Sequence, residues 1–353
     1  MTFTRAYYHC RHCGQGHCPL DARLGLDGSR QSPTLRRLLA LAGSQVPFRQ
    51  AAELARQLGG IRLSAATTRR RTEAAGDRLR RQHQDGQPVR PAHVRPWDLT
   101  LPRRDGRPFD GTVAYLGLDA FAVPTRGKEG AAIDWRMLYV GLLYSPDKEH
   151  TVYLADFDRE QVARQMRLYA GVFGLGRART LVAVTDGGNG LEGLVQRHFS
   201  EQVVFVLDFW HACEHGHGYA KLRYGARAPV WAEHAVGVMR RQGGAALLEL
   251  LQAEELPSVC GAEVSESLRK LCGYVSENVH RMAYPDYRER GWDIGSGPTE
   301  AGCKLLGGRL TGTGMRWEEC PSSEVAALRA LQASGEGLWE AFWDQRPQPK
   351  RAA

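Results

Sequence analysis

Residues Val113 to Pro124 read VAYLGLDAFAVP. The apolar positions Val113, Tyr115, Leu116 and Leu118 form a run too short for an ordinary helix and bounded by glycines, which predicts a buried strand. The run ends on one carboxylate, Asp119, which a strand would deliver to a sheet edge. Two later segments match it. TLVAVTDGGNG (180–190) sets Asp186 at the end of another β-rich stretch, before a glycine turn that bends the backbone sharply. GSGPTEAGCKLLGGRL (295–310) sets Glu300 behind Gly297-Pro298, where proline suits the first helical turn and an acid suits the helix dipole. Two strand-end aspartates are expected to face one helix-borne glutamate.

Outward from Asp119, MLYVGLLYS (137–145) and TVYLAD (151–156) read as strands joined by a Pro146-Asp147 turn, giving an antiparallel meander. The pattern then alternates. A helix over 159–172 leads to the Asp186 strand, and a helix over 191–198 leads to QVVFVL (202–207), which implies parallel strands added to the meander. Three antiparallel strands followed by alternating helices and parallel strands is the order of an RNase H-like mixed sheet, with helices on both faces. Residues 212–290 lack further strand patterns and read as an all-α insertion, with helical periods over 231–239, 245–251 and 265–275. The glutamate helix follows, then one more helix over 324–342 and a frayed tail at 346–353.

The front of the chain has a different composition. Residues 1–110 hold 20 arginines, no lysine and nine acidic residues, a net charge of +11, whereas the rest carries −3. A basic module attached to a mildly acidic body points to nucleic acid, because phosphate contacts are largely electrostatic. Helical faces over 32–42 and 47–58, a Gly59-Gly60 stop, and a basic segment 64–82 carrying Arg69, Arg70 and Arg71 give a helix-turn-helix pattern over 31–84. Ahead of it, residues 1–30 hold Cys10-Arg-His-Cys13 and Cys18 among histidines, a zinc-ribbon-like segment with half of a zinc site. The Pro- and Arg-rich stretch 85–111 reads as a linker, leaving a catalytic domain at 112–345. No run of eighteen apolar residues and no signal peptide is visible, so a cytoplasmic protein with no membrane partner and reduced or metal-bound cysteines is expected.

Three convergent carboxylates suit two magnesium or manganese ions about 3.5–4 Å apart, the arrangement used for in-line phosphoryl transfer. The separations along the chain, 119 to 186 to 300, fit one site only if elements are inserted between them, which the helical segment supplies. Asp156, Asp158 and Asp208 also lie near strand ends. In LDFWHACEH (207–215), Asp208 and His211 are three residues apart, so one turn can point both into the same cleft. A histidine there can orient a phosphate, support a metal ligand or finish a buried hydrogen bond; Glu214 and His215 read as structural.

The ordered set GLDAF, VTDGGNG, LDFWHACEH and GSGPTEAGCK with RLTGTGMRW resembles the DDE transposases of bacterial insertion sequences, particularly the ISKra-type group related to the Mutator-like superfamily. The resemblance covers nearly the whole chain. It implies catalytic, metal-binding carboxylates at Asp119, Asp186 and Glu300, a supporting Asp-x-x-His signature at Asp208 and His211, and a helical insertion before the glutamate. It also implies DNA ends and target DNA as partners, at least a dimer to pair two ends, and a location at the bacterial nucleoid. Lys304, Arg309 and Arg316 are placed to hold the DNA backbone beyond Glu300, while Trp317 reads as core. Members of that family usually carry sequence upstream of the CxxC, so either a shortened copy or a misassigned start is expected. Two other readings share these residues: an inactive or domesticated DNA-binding protein that keeps the fold, and an RNase H-like nuclease without strand transfer.

Overall fold

The computed structural model describes residues 4–24, 26, 31–101, 111–126, 133–188, 190–199, 203–256 and 261–345. In chain order, a hairpin of β1 (Tyr8–His9) and β2 (Gly16–His17) precedes α1 (Pro19–Leu24), α2 (Pro33–Gln45), α3 (Phe48–Gly59) and α4 (Ala65–Gln84). Then come β3 (Val113–Thr125), β4 (Asp134–Tyr144), β5 (Thr151–Asp156), α5 (Arg159–Phe173), β6 (Thr180–Thr185), α6 (Leu191–Phe199) and β7 (Val203–Leu207). Five helices follow: α7 (Phe209–Tyr224), α8 (Ala228–Gln242), α9 (Gly244–Gln252), α10 (Ala262–Asn278) and α11 (Tyr284–Glu289). The chain ends on α12 (Gly297–Leu310), α13 (Glu319–Ala333) and α14 (Leu338–Asp344). The tail 346–353 and Asn189 of the glycine turn lie outside the described residues.

The five long strands form one mixed sheet in the order β5-β4-β3-β6-β7. β3, β4 and β5 pair antiparallel, and β6 and β7 add parallel through the α5 and α6 crossovers. Side chains alternate across β3: Ala114, Leu116 and Leu118 enter a core built with α5 and α6, while Val113 and Tyr115 enter a second core built with α7 to α11. Both faces of the sheet are therefore covered. This is the mixed α/β architecture that the strand order led us to expect, and the described elements between β7 and α12 are all helices.

Four expectations need correction. β3 does not end at Asp119 but runs on to Thr125, because β4 supplies partners from Tyr115↔Tyr144 through to Thr125↔Asp134. What ends near Asp119 is the parallel neighbour, whose pairing stops at Gly117↔Val184. The stretch 85–101 is no free linker. Val89, Trp97, Leu99 and Leu101 are buried in the cores, and Trp97 stacks between His150 and Phe173. The helices of 31–84 are likewise built into the same body: Ala40, Ala75 and Leu79 join the α5 core, Arg80 pairs with Asp156 at 3.1 Å, and His83 Nε2 lies 2.9 Å from the Tyr169 hydroxyl. α4 runs so close to α13 that a Cβ at Gly76 would collide with the Glu324 carbonyl. Finally, the single C-terminal helix is two, broken where Gly335, Glu336 and Gly337 adopt positive φ.

The smaller features follow the sequence. Ser32 and Ser64 accept the Leu35 and Thr67 N–H groups as helix N-caps, and Gly60 closes α3 in the left-handed conformation. No described helix is long and apolar enough to cross a membrane.

Candidate active site

Register alone brings three carboxylates together. β3 and β6 pair at Gly117↔Val184, so two residues further on Asp119 stands beside Asp186. β6 and β7 pair at Thr185↔Leu207, so one residue further on Asp186 stands beside Asp208. All three extend the rows that face the α7–α11 side of the sheet, and adjacent strands lie about 4.8 Å apart. Glu300 comes from above. α12 crosses β3 at Gly117, where a Cβ would overlap Thr299 Oγ1 and sit 3.2 Å from Thr299 Cβ and 3.3 Å from Leu142 Cβ. Only glycine permits that approach, and it holds Glu300 in the first turn of α12 above the aspartates.

The four acids then line one cavity of about 290 Å³ together with Thr299, His211 and Glu214. Asp119 Oδ1 accepts the Ala120 N–H at 2.7 Å, and its Oδ2 accepts the Cys303 thiol at 3.4 Å. Burial raises the Asp119 carboxyl above its ordinary range, and the charges of Asp186 and Glu300 add to that, against the pull of those two donors. Burial and the Asp119 charge likewise push the Cys303 thiol up, so it stays a protonated donor. Asp186 Oδ1 accepts Gly188 N–H at 2.8 Å. Glu300 is paired with Lys304 at 3.3 Å, an exposed contact. Asp208 is buried and differently employed: Oδ1 accepts the N–H groups of Trp210 (2.7 Å) and His211 (3.4 Å), and Oδ2 accepts the N–H (3.2 Å) and hydroxyl of Ser296.

Asp119, Asp186 and Glu300 fit a hard divalent cation by chemistry: they offer carboxylate oxygens, they repel one another, and a cation relieves that repulsion. As placed they do not close a ligand set, for among the described residues no three His, Cys, Asp or Glu side chains converge closely enough to hold an ion. The same holds at the front hairpin. Cys10 and Cys13 share one exposed turn, closed by Gly14 N–H on the Cys10 carbonyl at 2.9 Å, and neither Cys18 nor a histidine completes a set with them. Backbone N–H groups of Cys13 and His12 lower the Cys10 thiol pKa.

The basic residues divide. Arg69 and Arg70 are exposed on the first turns of α4, Arg71 is half-buried, and Arg69 lies 3.7 Å from Glu73. Arg316 is exposed, and with Arg69 it lines a groove of about 250 Å³ floored by Phe48 and Trp317. Arg309 borders the same groove but is held in its floor. It is 2 % exposed, donates from Nε to the Gly43 carbonyl at 3.0 Å, and lies over Phe48 (4.8 Å) and Trp317 (4.9 Å). Burial lowers its pKa to about 10. It joins α12 to α2, with its guanidinium engaged inside the protein. Trp317 is core, as expected, donating from Nε1 to Leu310 O at 2.8 Å.

Sequence reasoning missed Ser296, Thr299 and Cys303, whose only signal was their position one turn or less from Glu300. It also missed Trp210, 60 % exposed at the cavity mouth with its ring against Gly295. The chain matches no protein-family model and no curated protein.

Proposed function

We propose that the chain is a DNA transposase of the DDE type, an RNase H-like polynucleotidyl transferase that cleaves the ends of an insertion sequence and joins them to target DNA. The observation that carries the reading is the alignment of Asp119 and Asp186 on neighbouring strands with Glu300 held over them on α12. Structural needs do not explain three mutually repelling carboxylates around one solvent-reached cavity.

When bound by Asp119, Asp186 and Glu300, two magnesium or manganese ions would supply an activated oxygen nucleophile and neutralise charge on the departing oxygen. The chain's own residues do the positioning. Gly117 lets α12 settle onto the sheet, Cys303 fixes one Asp119 oxygen, and Ser296 ties the start of α12 to Asp208. The reaction is two exchanges of one P–O bond for another: water on a phosphodiester at the element end, then the released 3′-hydroxyl on a phosphodiester of the target. No covalent protein–DNA intermediate is needed. Arg69, Arg70, Arg71 and Arg316 are the phosphate contacts, with Lys304 beside the site, and two ends call for at least a dimer on DNA. In this reading the Cys10–Cys13 turn is half of a zinc site, with Cys18 as a further ligand.

The test is a plasmid carrying the gene's own flanking DNA, incubated with magnesium or manganese and either wild type or Asp119→Asn. Metal-dependent joined products from wild type alone support the transposase. Cleavage without joining turns the reading to a nuclease, and binding without cleavage turns it to a DNA-binding descendant.

A further inference from the structure

The residues His211-Ala-Cys-Glu214-His215 put two imidazoles one turn apart on one face of α7, with a glutamate between them. In helical zinc sites this kind of spacing serves a metal, because one turn brings two ring nitrogens to a common point. Here the nitrogens have arrived there: His211 Nε2 and His215 Nε2 are 3.3 Å apart. Two nitrogens at zinc–imidazole distance around a tetrahedral ion are separated by about 3.3–3.4 Å.

The surroundings support the same use. Glu214 lies 3.4 Å from His211 Nδ1, so a proton on that nitrogen would face a carboxylate and turn Nε2 toward His215 as the ligating atom, the carboxylate–histidine arrangement that orients metal ligands. The other ring is held from behind, since His215 packs against Tyr274 with centroids 4.1 Å apart and the ring planes tilted by 30°. Tyr274 has its hydroxyl buried without a hydrogen-bond partner among the described residues. The His211 side chain is 38 % exposed and lines the carboxylate cavity, so an ion has a path in.

We infer that His211 and His215 form a two-histidine chelate for a transition-metal ion of the zinc class, at the lip of the carboxylate cavity and distinct from the carboxylates. Glu214 is the positioning residue that aims His211. Among the described residues no third His, Cys, Asp or Glu completes the set, so water or a substrate oxygen fills the remaining positions. This reverses the sequence reading of Glu214 and His215 as structural. The site stands whether or not the chain transfers phosphoryl groups, since its test needs no DNA.

The experiment is calorimetric titration of the full-length chain with Zn²⁺ in excess Mg²⁺, which occupies hard carboxylate sites, in a Cys10→Ser, Cys13→Ser, Cys18→Ser background that silences the front thiols. The expected result is one equivalent bound, no saturable binding after His215→Ala, and a loss of about 10–100-fold in affinity after Glu214→Gln. Zn²⁺ should also raise the thermal midpoint of the parent and not that of His215→Ala, whose metal-free melting checks that it is folded. Equal affinity in parent and His215→Ala, or no saturable binding by the parent, overturns the inference.

Discussion

Gly117→Ala is the sharpest test of how the site is held. The added Cβ would overlap Thr299 Oγ1 and sit tight against Thr299 Cβ and Leu142 Cβ, at 3.2 and 3.3 Å. Both neighbours are on rigid elements, α12 and β4, so relief requires α12 to move. Overpacking of this kind costs about 1–3 kcal/mol, against a gain of roughly 0.5–1 kcal/mol from replacing a strand glycine. The net expectation is a loss of about 1–2 kcal/mol. Thr299 offers a separate handle: its hydroxyl is buried with no hydrogen-bond partner among the described residues, so Thr299→Ala removes an unsatisfied group along with one methyl and should be nearly neutral. It also deletes the atom that Gly117→Ala meets first. The double variant should recover much of the loss, a coupling of about 1–2 kcal/mol in a denaturant cycle. Cleavage should follow the same pattern, because a shift of about 1 Å at a catalytic group costs on the order of 100-fold. Additivity within about 0.5 kcal/mol would refute close packing of α12 on Gly117 as the device that positions Glu300.

Asp119→Asn should abolish cleavage yet raise stability at neutral pH. Its folded pKa lies above the unfolded one, so the native state holds the proton more tightly and stability falls as pH rises through that window; asparagine has no charge to bury, and its advantage should vanish in urea titrations below the unfolded carboxylate pKa. Glu324, on α13, is a second case: burial first, then the charges of Asp77 and Glu73, raise it to about 7. Glu324→Gln should be matched with wild type near pH 4 and more stable above pH 7, by up to about 3 kcal/mol before solvent screening reduces it; a pH-independent difference would count against this linkage. Arg309→Ala should cost about 3 kcal/mol in denaturation, from a buried charge-assisted hydrogen bond and two ring contacts. Arg69→Ala should leave stability unchanged and lower the salt slope of DNA binding by about one.

The strands were legible because each is an apolar run closed by turn residues, and the alternation after β5 was enough to call the parallel half of the sheet. The true end of β3 was not, since it depends on β4, a partner whose reach no local pattern records. Residues 85–101 were hidden by their prolines and arginines, although Trp97, Leu99 and Leu101 already show the two-residue spacing of a half-buried strap. α7 escaped notice because His211, His215, Gly216, His217 and Gly218 interrupt the helical period of its buried residues Phe209, Ala212, Cys213, Tyr219 and Ala220. Arg309 was misjudged on charge alone. Its position three residues after Leu306 and beside Leu310 places it on the buried face of α12, a signal present in the sequence. Within the site, Asp186 was readable from its strand end and Asp119 only as the acid that closes an apolar run inside a longer strand, while the closeness of α12 rested on Gly117, which the sequence reading took only as a boundary.

The long separation of Asp186 from Glu300 has a physical answer in Asp208. A carboxylate offers about four lone-pair sites, and four donors take them: the Trp210 and His211 N–H groups from the start of α7, and the Ser296 N–H and hydroxyl from the segment before α12. Phe209 N–H also donates to the Ile294 carbonyl at 2.8 Å. The point where the helical segment leaves the sheet and the point where it returns are thus fastened to each other. Whatever lies between them closes a loop whose entropic cost grows only slowly with length, and the start of α12 keeps its place. Asp208 is therefore a positioning residue, with no lone pair left for a cation. Ser296 immediately precedes α12 and Glu300 stands in that helix's first turn, so the same latch that absorbs the insertion fixes the base from which the glutamate rises over the two aspartates.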